Sequence, residues 1–324
     1  MRILIYGGGA VGLGMASCLL QAGSAVTILT KKTTAQVLQS QGLRRTGIFG
    51  SLHFFQNRFQ CYTASREITG PLYDFILICT KSYDVAAAAE DLRHSRQLWN
   101  ENTLLVLFQN GWGHEEHFLN FYSKDNIFHA RVMTGFYRHE NNRVEITAHG
   151  QPIHIGSLWN AREARVQPLC AAIDEGGVPC EKTEHIEEDL WAKMLFNCFL
   201  NPLGAIFNVP YGILGENAET RILQQSITEE IFLVMAAAGF KTHWLRTEDY
   251  LQFYYQELFD ATAKHESSML QDIRAGRQTE IEVLNGAVVR LGEKHRVAVP
   301  CNQAVYQMLK FLERRSLYGK NAVK

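Results

Sequence analysis

The strongest chemical signal in the sequence is a set of polar residues placed inside an apolar stretch. Between Leu190 and Leu203 (LWAKMLFNCFLNPL), Lys193, Asn197 and Asn201 recur every four residues. On a helix they form one stripe. Met194, Leu195, Phe196, Cys198, Phe199 and Leu200 fill the positions between them, so the helix is expected to be buried nearly all round. Ammonium and amide groups in such surroundings need partners, and a polar ligand would supply them. The structural alternative is that Lys193 snorkels to solvent and the asparagines bond backbone. Pro202 cannot donate to the carbonyl of Cys198, so the helix is expected to kink or end beside Asn201.

A matching carboxylate lies further along. The run from Ser267 and Ser268 to Gly276 reads as the end of a helix, with Gly276 near C′. Thr279 is then expected to N-cap another helix, with Glu282 as its capping-box partner. That places Glu280 at the first helical position, where the helix dipole favours an ionised carboxylate. Glu280 is an apt ionic partner for a catalytic ammonium; helix-start charge is its plainer use.

The elements that must position these groups fall into two kinds. The first half alternates strands and helices. Arg2–Tyr6 is a β-prone run, Gly7-Gly8-Gly9-Ala10-Val11-Gly12 follows, Leu13–Ala22 is helical, and Ala25–Thr30 is a second strand. This is the strand–GxGxxG–helix context of a dinucleotide site. Gly7 permits the tight turn, Gly9 lets the backbone approach a pyrophosphate, and Gly12 lets the helix pack closely on the strand. The helix start supplies N–H donors to the phosphate. The second strand ends Leu29-Thr30-Lys31-Lys32, without the carboxylate that would bind a ribose 2′-hydroxyl, so the expected cofactor is NADP(H). Two later strands, Asp74–Thr80 and Thr103–Phe108, end beside Lys81 and Asn110, where cofactor and substrate lie in doubly wound sheets. Short strands at 127–134, 143–147 and 152–158, a helix from 161 to about 175 and a strand at 178–183 complete this half.

After Glu184 only helical spacing remains, as in Ile227, Ile231, Val234 and Ala238 before Gly239. The predicted organisation is an α/β, Rossmann-type domain over residues 1–184 and an all-α domain over residues 185–324. The junction is charged, without flexible composition, which suggests two domains packed over a shared cleft.

Composition bounds the rest. The 324 residues are 46% hydrophobic and 20% charged, with 32 Lys+Arg against 33 Asp+Glu. A balanced chain lacks the electrostatic footprint of a nucleic-acid or membrane-surface protein. Seven scattered cysteines without a CxxC support neither a disulfide framework nor a zinc site, and no metal is expected. A reducing cytoplasm follows as the expected compartment. Arg2 and the apolar stretch to Leu20 could pass for a secretory signal, but four glycines in twelve residues would interrupt its core.

Together these blocks resemble one family, ketopantoate reductase (2-dehydropantoate 2-reductase), of the 6-phosphogluconate-dehydrogenase-like group. The matching segments are GGGAVG, CTKSYD, FQNGWGHEE, HGQPIHIG, LWAKMLFNCFLNPLGAIFN and SSMLQDIRAGRQTEIEVLNG, with AVP before Cys301; they run in the family's order from residue 7 to residue 300. The resemblance implies that Lys193 is the general acid and that Asn197 and Asn201 hold the substrate. It implies that Asn110 lies between nicotinamide and substrate, that Ser268 and Glu280 bind substrate or orient the lysine, and that Lys81 lies close to the cofactor. Lys31 or Lys32 supplies the basic residue after the second strand. Gly276, where members often carry a larger residue, is a minor departure. The implied reaction is NADPH-dependent reduction of 2-dehydropantoate to D-pantoate, in pantothenate biosynthesis, by a monomer or homodimer. Two alternatives remain: a relative that reduces another 2-oxo acid to a D-2-hydroxy acid, and a non-catalytic NADP(H)-sensing protein.

Overall fold

The computed structural model describes residues 1–159 and 161–321. The chain divides into two compact units, residues 1–109 with 114–186, and residues 110–113 with 187–324.

In the first unit, β1 (Arg2–Tyr6) leads through the glycine loop into α1 (Ala10–Gln21) and β2 (Ala25–Leu29). Next come α2 (Lys32–Gln41), β3 (Leu43–Gly47), β4 (Leu52–Phe54), β5 (Gln60–Tyr62) and β6 (Phe75–Ile78). The unit continues with α3 (Val85–Arg93), β7 (Leu104–Leu107), β8 (Ile127–Arg131), β9 (Thr134–Glu140) and β10 (Arg143–His149). It closes with β11 (Ile153–Gly156), α4 (Gln167–Glu175) and β12 (Cys180–Lys182).

The main sheet has the order β12-β11-β8-β7-β6-β1-β2-β5, parallel except where β11 meets β8. Its parallel part runs third, second, first, fourth, fifth, sixth in chain order, the doubly wound Rossmann arrangement. The strand order reverses between β1 and β6, which are paired from Ile3–Phe75 to Tyr6–Ile78. The glycine loop and Thr80 thus leave the sheet side by side, at the point where such folds bind their ligands. The FILI and LLVL runs of β6 and β7 are buried on both faces, as an interior parallel strand requires.

A second sheet, β4-β3-β10-β9, departs from the sequence reading. Residues 43–54 give no clean apolar alternation, and β9 extends well beyond the strand expected to end at Thr134. This sheet covers α1: a Cβ on Gly14 would meet the Phe136 ring at 2.5 Å. Contact on both sides explains why every α1 residue from Gly12 to Leu20 is buried.

The second unit contains helices and no strand among the described residues. They are α5 (Ile186–Phe207), α6 (Tyr211–Glu216), α7 (Ala218–Ala238), α8 (Thr247–Phe253), α9 (Phe259–Thr262), α10 (Ser268–Arg274), α11 (Asn285–His295) and α12 (Pro300–Asn321). Its core gathers Trp191, Phe199, Tyr211, Tyr250 and Tyr254, each fully buried. By length and composition α5 could cross a membrane, yet most of its apolar stretch is buried in the fold.

One expectation is narrowed here and another corrected. Of the two outcomes expected beside Asn201, a kink or an end, the helix does not end: α5 runs on through Pro202 to Phe207. The Cys198 carbonyl that Pro202 leaves without its helical donor accepts instead from Asn285 Nδ2 at 3.0 Å. Asn285 also donates to Asn302, which Glu230 holds through both backbone and side-chain N–H groups. Nor does Thr279 start an α-helix. Residues Ile281–Val283 form one 3-10 turn, and α11 begins only at Asn285. Glu282 makes no capping box; it binds Tyr306 and Lys310 on α12.

Candidate active site

The glycine loop is shaped by what its residues lack. Gly7 has φ +115°, and a Cβ there would lie 2.8 Å from the Cys79 carbonyl carbon. A Cβ on Gly12 would lie 1.9 Å from the Gly7 oxygen, so any side chain would push helix from strand. At Gly9 the surroundings are open, with nothing closer to a Cβ than 3.9 Å. The first-turn N–H groups of α1, at Ala10, Val11 and Gly12, have no carbonyl within their own helix to bond. No acidic residue stands in that turn. An open, backbone-lined cradle of N–H donors fits a dinucleotide pyrophosphate.

Around this cradle, Lys31 N-caps α2 without a side-chain bond, and its ammonium lies 3.8 Å from Asp84. Both groups are exposed, so this pair adds little stability. Lys32 lines a groove of about 460 Å³ with Gln36, Gln39, Tyr62, Thr63 and Glu67. The Glu67 carboxylate is tied to Thr63 and to the Ala64 N–H. Lys81 is half-buried at the carboxyl end of β6, capping the short turn Ser82–Asp84.

In the second unit, Asn110, Asn201, Ser268 and Glu280 line one small cavity with Met269, Asp272 and Leu284. Four of the residues singled out from sequence are therefore brought together. Asn197 and Lys193 lie one and two turns earlier than Asn201 on α5; Lys193 is half-buried and Asn197 is buried. They are not among the residues that line this cavity.

Local bonding explains how each group is held. Asn110 donates from Nδ2 to Glu280 Oε2 at 3.1 Å, across 170 residues. The segment behind it is locked to the 3-10 turn: Trp112 N–H donates to the Val283 carbonyl at 3.0 Å. Gly111, at φ +98°, approaches Val283 so closely that a Cβ would overlap it. This docking is why residues 110–113 belong with the second unit.

Asn201 is oriented from behind. Tyr211 donates its hydroxyl to Asn201 Oδ1 at 2.5 Å, leaving Nδ2 as the donor for a ligand oxygen. Burial pushes the Tyr211 hydroxyl far above its ordinary pKa, so it stays a donor at neutral pH. The serine pair divides its work. Ser267 caps α10 by accepting from the Leu270 N–H, and donates to the Asn201 carbonyl. Ser268, the next residue, faces the cavity.

Asp272 was missed by the sequence reading. It sits one turn after Ser268 on the same face of α10, and that i, i+4 spacing was the available signal. Arg277 holds its carboxylate at 2.8 Å. Arg138 was also missed: from β9 its guanidinium reaches the Gly8 carbonyl at 3.0 Å. Chemically, the cavity offers amide and hydroxyl donors beside two carboxylates, one of them held by Arg277, so it is suited to polar, hydrogen-bonding groups. Among the described residues, no group of three or more His, Cys, Asp or Glu side chains could hold a metal ion.

Comparison with known proteins agrees with this architecture. Residues 3–160 match the family described as "Ketopantoate reductase PanE/ApbA", and residues 185–313 match its C-terminal counterpart. A 2-dehydropantoate 2-reductase of Aquifex aeolicus is 31% identical over 314 residues, 97% of each chain. That of Vibrio cholerae is 32% identical over 240 residues, 74% of this chain and 78% of the other. Among solved structures, a PanE/ApbA family ketopantoate reductase from Ralstonia eutropha superposes with a TM-score of 0.84 at 25% identity, covering 98% of this chain and 100% of that one. A D-mandelate dehydrogenase solved with NADH and anilino(oxo)acetate superposes with a TM-score of 0.86 at 23% identity, covering 98% and 99%. With its Rossmann-type first unit, all-helical second unit and full-length relatives, the chain belongs to the ketopantoate reductase family of oxidoreductases.

Proposed function

We propose that this protein reduces 2-dehydropantoate to D-pantoate with NADPH. The observation that carries the reading is the convergence of Asn110, Asn201, Ser268 and Glu280 on one cavity from four distant stretches of chain. Residues 1–184 serve as the cofactor half and residues 185–324 as the substrate half, with Asn110 contributed to the latter.

Reduction at C2 requires a hydride on carbon and a proton on the developing alkoxide. NADPH, when bound at Gly7–Gly12, supplies the hydride. Lys193 polarises the ketone and gives the proton to its oxygen, with Glu280 balancing the ammonium charge. Asn197, Asn201 and Ser268 hold the carboxylate and the hydroxyl, which fixes the face that C2 presents. Asn110 steadies Glu280 through its 3.1 Å bond. Lys81 and one of Lys31 and Lys32 meet the cofactor, the latter pair being suited to a 2′-phosphate. A reducing cytoplasm suits the seven cysteines, all present as free thiols.

A second reading has its own support. The D-mandelate dehydrogenase superposes as well as the ketopantoate reductases do, and it was solved with NADH and an aromatic 2-oxo acid derivative. The same acid–base set would serve that substrate class. An NADP(H) sensor would have little use for Lys193 and Glu280 together. NADPH oxidation measured with 2-dehydropantoate, phenylglyoxylate and 2-oxoisovalerate separates the three. Preference for 2-dehydropantoate supports the proposal, preference for phenylglyoxylate moves it to the second reading, and inertness toward all three leaves the sensor.

A further inference from the structure

The second sheet of the first unit places an arginine at the rim of the glycine loop. Arg138 is exposed on β9, yet its Nη1 donates to the Gly8 carbonyl at 3.0 Å and lies 3.5 Å from Thr34 Oγ1. Gly8 in turn packs on the end of β2: a Cβ there would sit 2.3 Å from Thr30 Oγ1 and 3.3 Å from the Thr34 methyl. The guanidinium is thus anchored between the glycine loop and the first turn of α2, the turn that Lys31 and Lys32 open. In this fold the adenosine ribose lies at that strand end, where NAD enzymes place a carboxylate.

The charges nearby are accounted for. Asp84 lies by Lys31, Glu67 is bonded to Thr63 and Ala64, Glu145 to His139, and Glu140 to Arg143. Among the described residues, no carboxylate pairs with Arg138, and its recorded bonds use Nη1 alone. Its Nε and Nη2 donors remain for an anion. The bond to Gly8 also turns a carbonyl dipole, which would repel a phosphate, into part of a cationic rim.

We propose that Arg138 is a cofactor-specificity residue that binds the ribose 2′-phosphate, completing a cationic site with Lys31 and Lys32. The proposal rests on the NADP(H) reading and deepens it. Arginine suits the role because its planar fork can bond two phosphate oxygens.

Fluorescence titration of the full chain with NADPH and with NADH tests this without turnover. Arg138→Gln should weaken NADPH about tenfold or more and leave NADH within about twofold, as for loss of a charge-assisted hydrogen bond. Arg138→Lys should fall between, and 2′-AMP should compete with NADPH less well in Arg138→Gln than in the wild type. Equal weakening of both dinucleotides would show that Arg138 only braces the loop, and no change in either would remove it from the site; each overturns the proposal. A wild type that binds NADH as tightly as NADPH would also overturn it, while leaving the reductase reading intact. A wild type that binds NADPH selectively through Arg138 but reduces no 2-oxo acid would break the reductase reading alone.

Discussion

The glycine loop and the polar cavity are built on opposite terms. The loop is six consecutive residues that present backbone, and its shape depends on absent side chains: Gly7 and Gly12 have no room for a Cβ. The cavity is made of side chains from residues 110, 201, 268 and 280, and its shape depends on tertiary bonds made behind them. A local site fails through steric overlap, which disturbs fold and binding together. An assembled site can lose one chemical group while its frame stands.

Four changes put that contrast to the test. The largest effect belongs to Lys193→Ala, expected to lower kcat by about 10²–10⁴-fold, the usual contribution of a positioned acid. NADPH affinity and the thermal midpoint should stay near wild type; a loss of both would move Lys193 from chemistry to structure. Next is Gly12→Ala in the loop. Its methyl would collide with the Gly7 oxygen, so NADPH affinity should fall at least about tenfold and Tm should fall with it, by the mechanism of core overpacking. Calorimetry and a binding titration on one sample would show whether the two losses travel together.

Ser268→Ala should act more gently, raising the KM for 2-dehydropantoate about tenfold with Tm unchanged, because Ser267 rather than Ser268 caps α10. Steady-state kinetics alone decides this one. The smallest effect on turnover is expected from Asn285→Ala, which leaves the Cys198 carbonyl without its donor. It should cost about 1–3 kcal/mol of stability. The cost should shrink in a Pro202→Ala background, where residue 202 regains an N–H for the same carbonyl. Equal costs in both backgrounds would show that Asn285 does not compensate for the proline.

This contrast also governs how much the sequence revealed. The loop was legible because its signal is contiguous and its strand–turn–helix context is local. The polar stripe of α5 was legible because helical spacing brings Lys193, Asn197 and Asn201 onto one face. Which of the two outcomes expected at Pro202 would hold was not, because the compensating donor is 87 residues away. The same holds for the 3-10 turn at Ile281–Val283: the Thr279–Glu282 pattern satisfies a capping box locally. Tertiary partners take both side chains, Glu313 binding Thr279 and α12 binding Glu282. Strands β3 and β4 escaped notice because β4 is only three residues long and β3 carries two arginines, with Arg45 buried inside it. Arg138, carried by the same sheet, was missed for that reason. The reaction and site roles drew on resemblance to a family, since spacing alone left a structural use for each residue open.

The central claim is that the cavity residues and the glycine loop serve one NADPH-dependent reduction of a 2-oxo acid. The most direct measurement is NADPH oxidation by the purified full chain with 2-dehydropantoate, run alongside Lys193→Ala. The account predicts turnover by the wild type, preferring 2-dehydropantoate to phenylglyoxylate and 2-oxoisovalerate, and loss of at least about 10² in kcat in the variant. A wild type that binds NADPH yet reduces none of the three, or a variant that turns over 2-dehydropantoate within a few-fold of wild type, would contradict it.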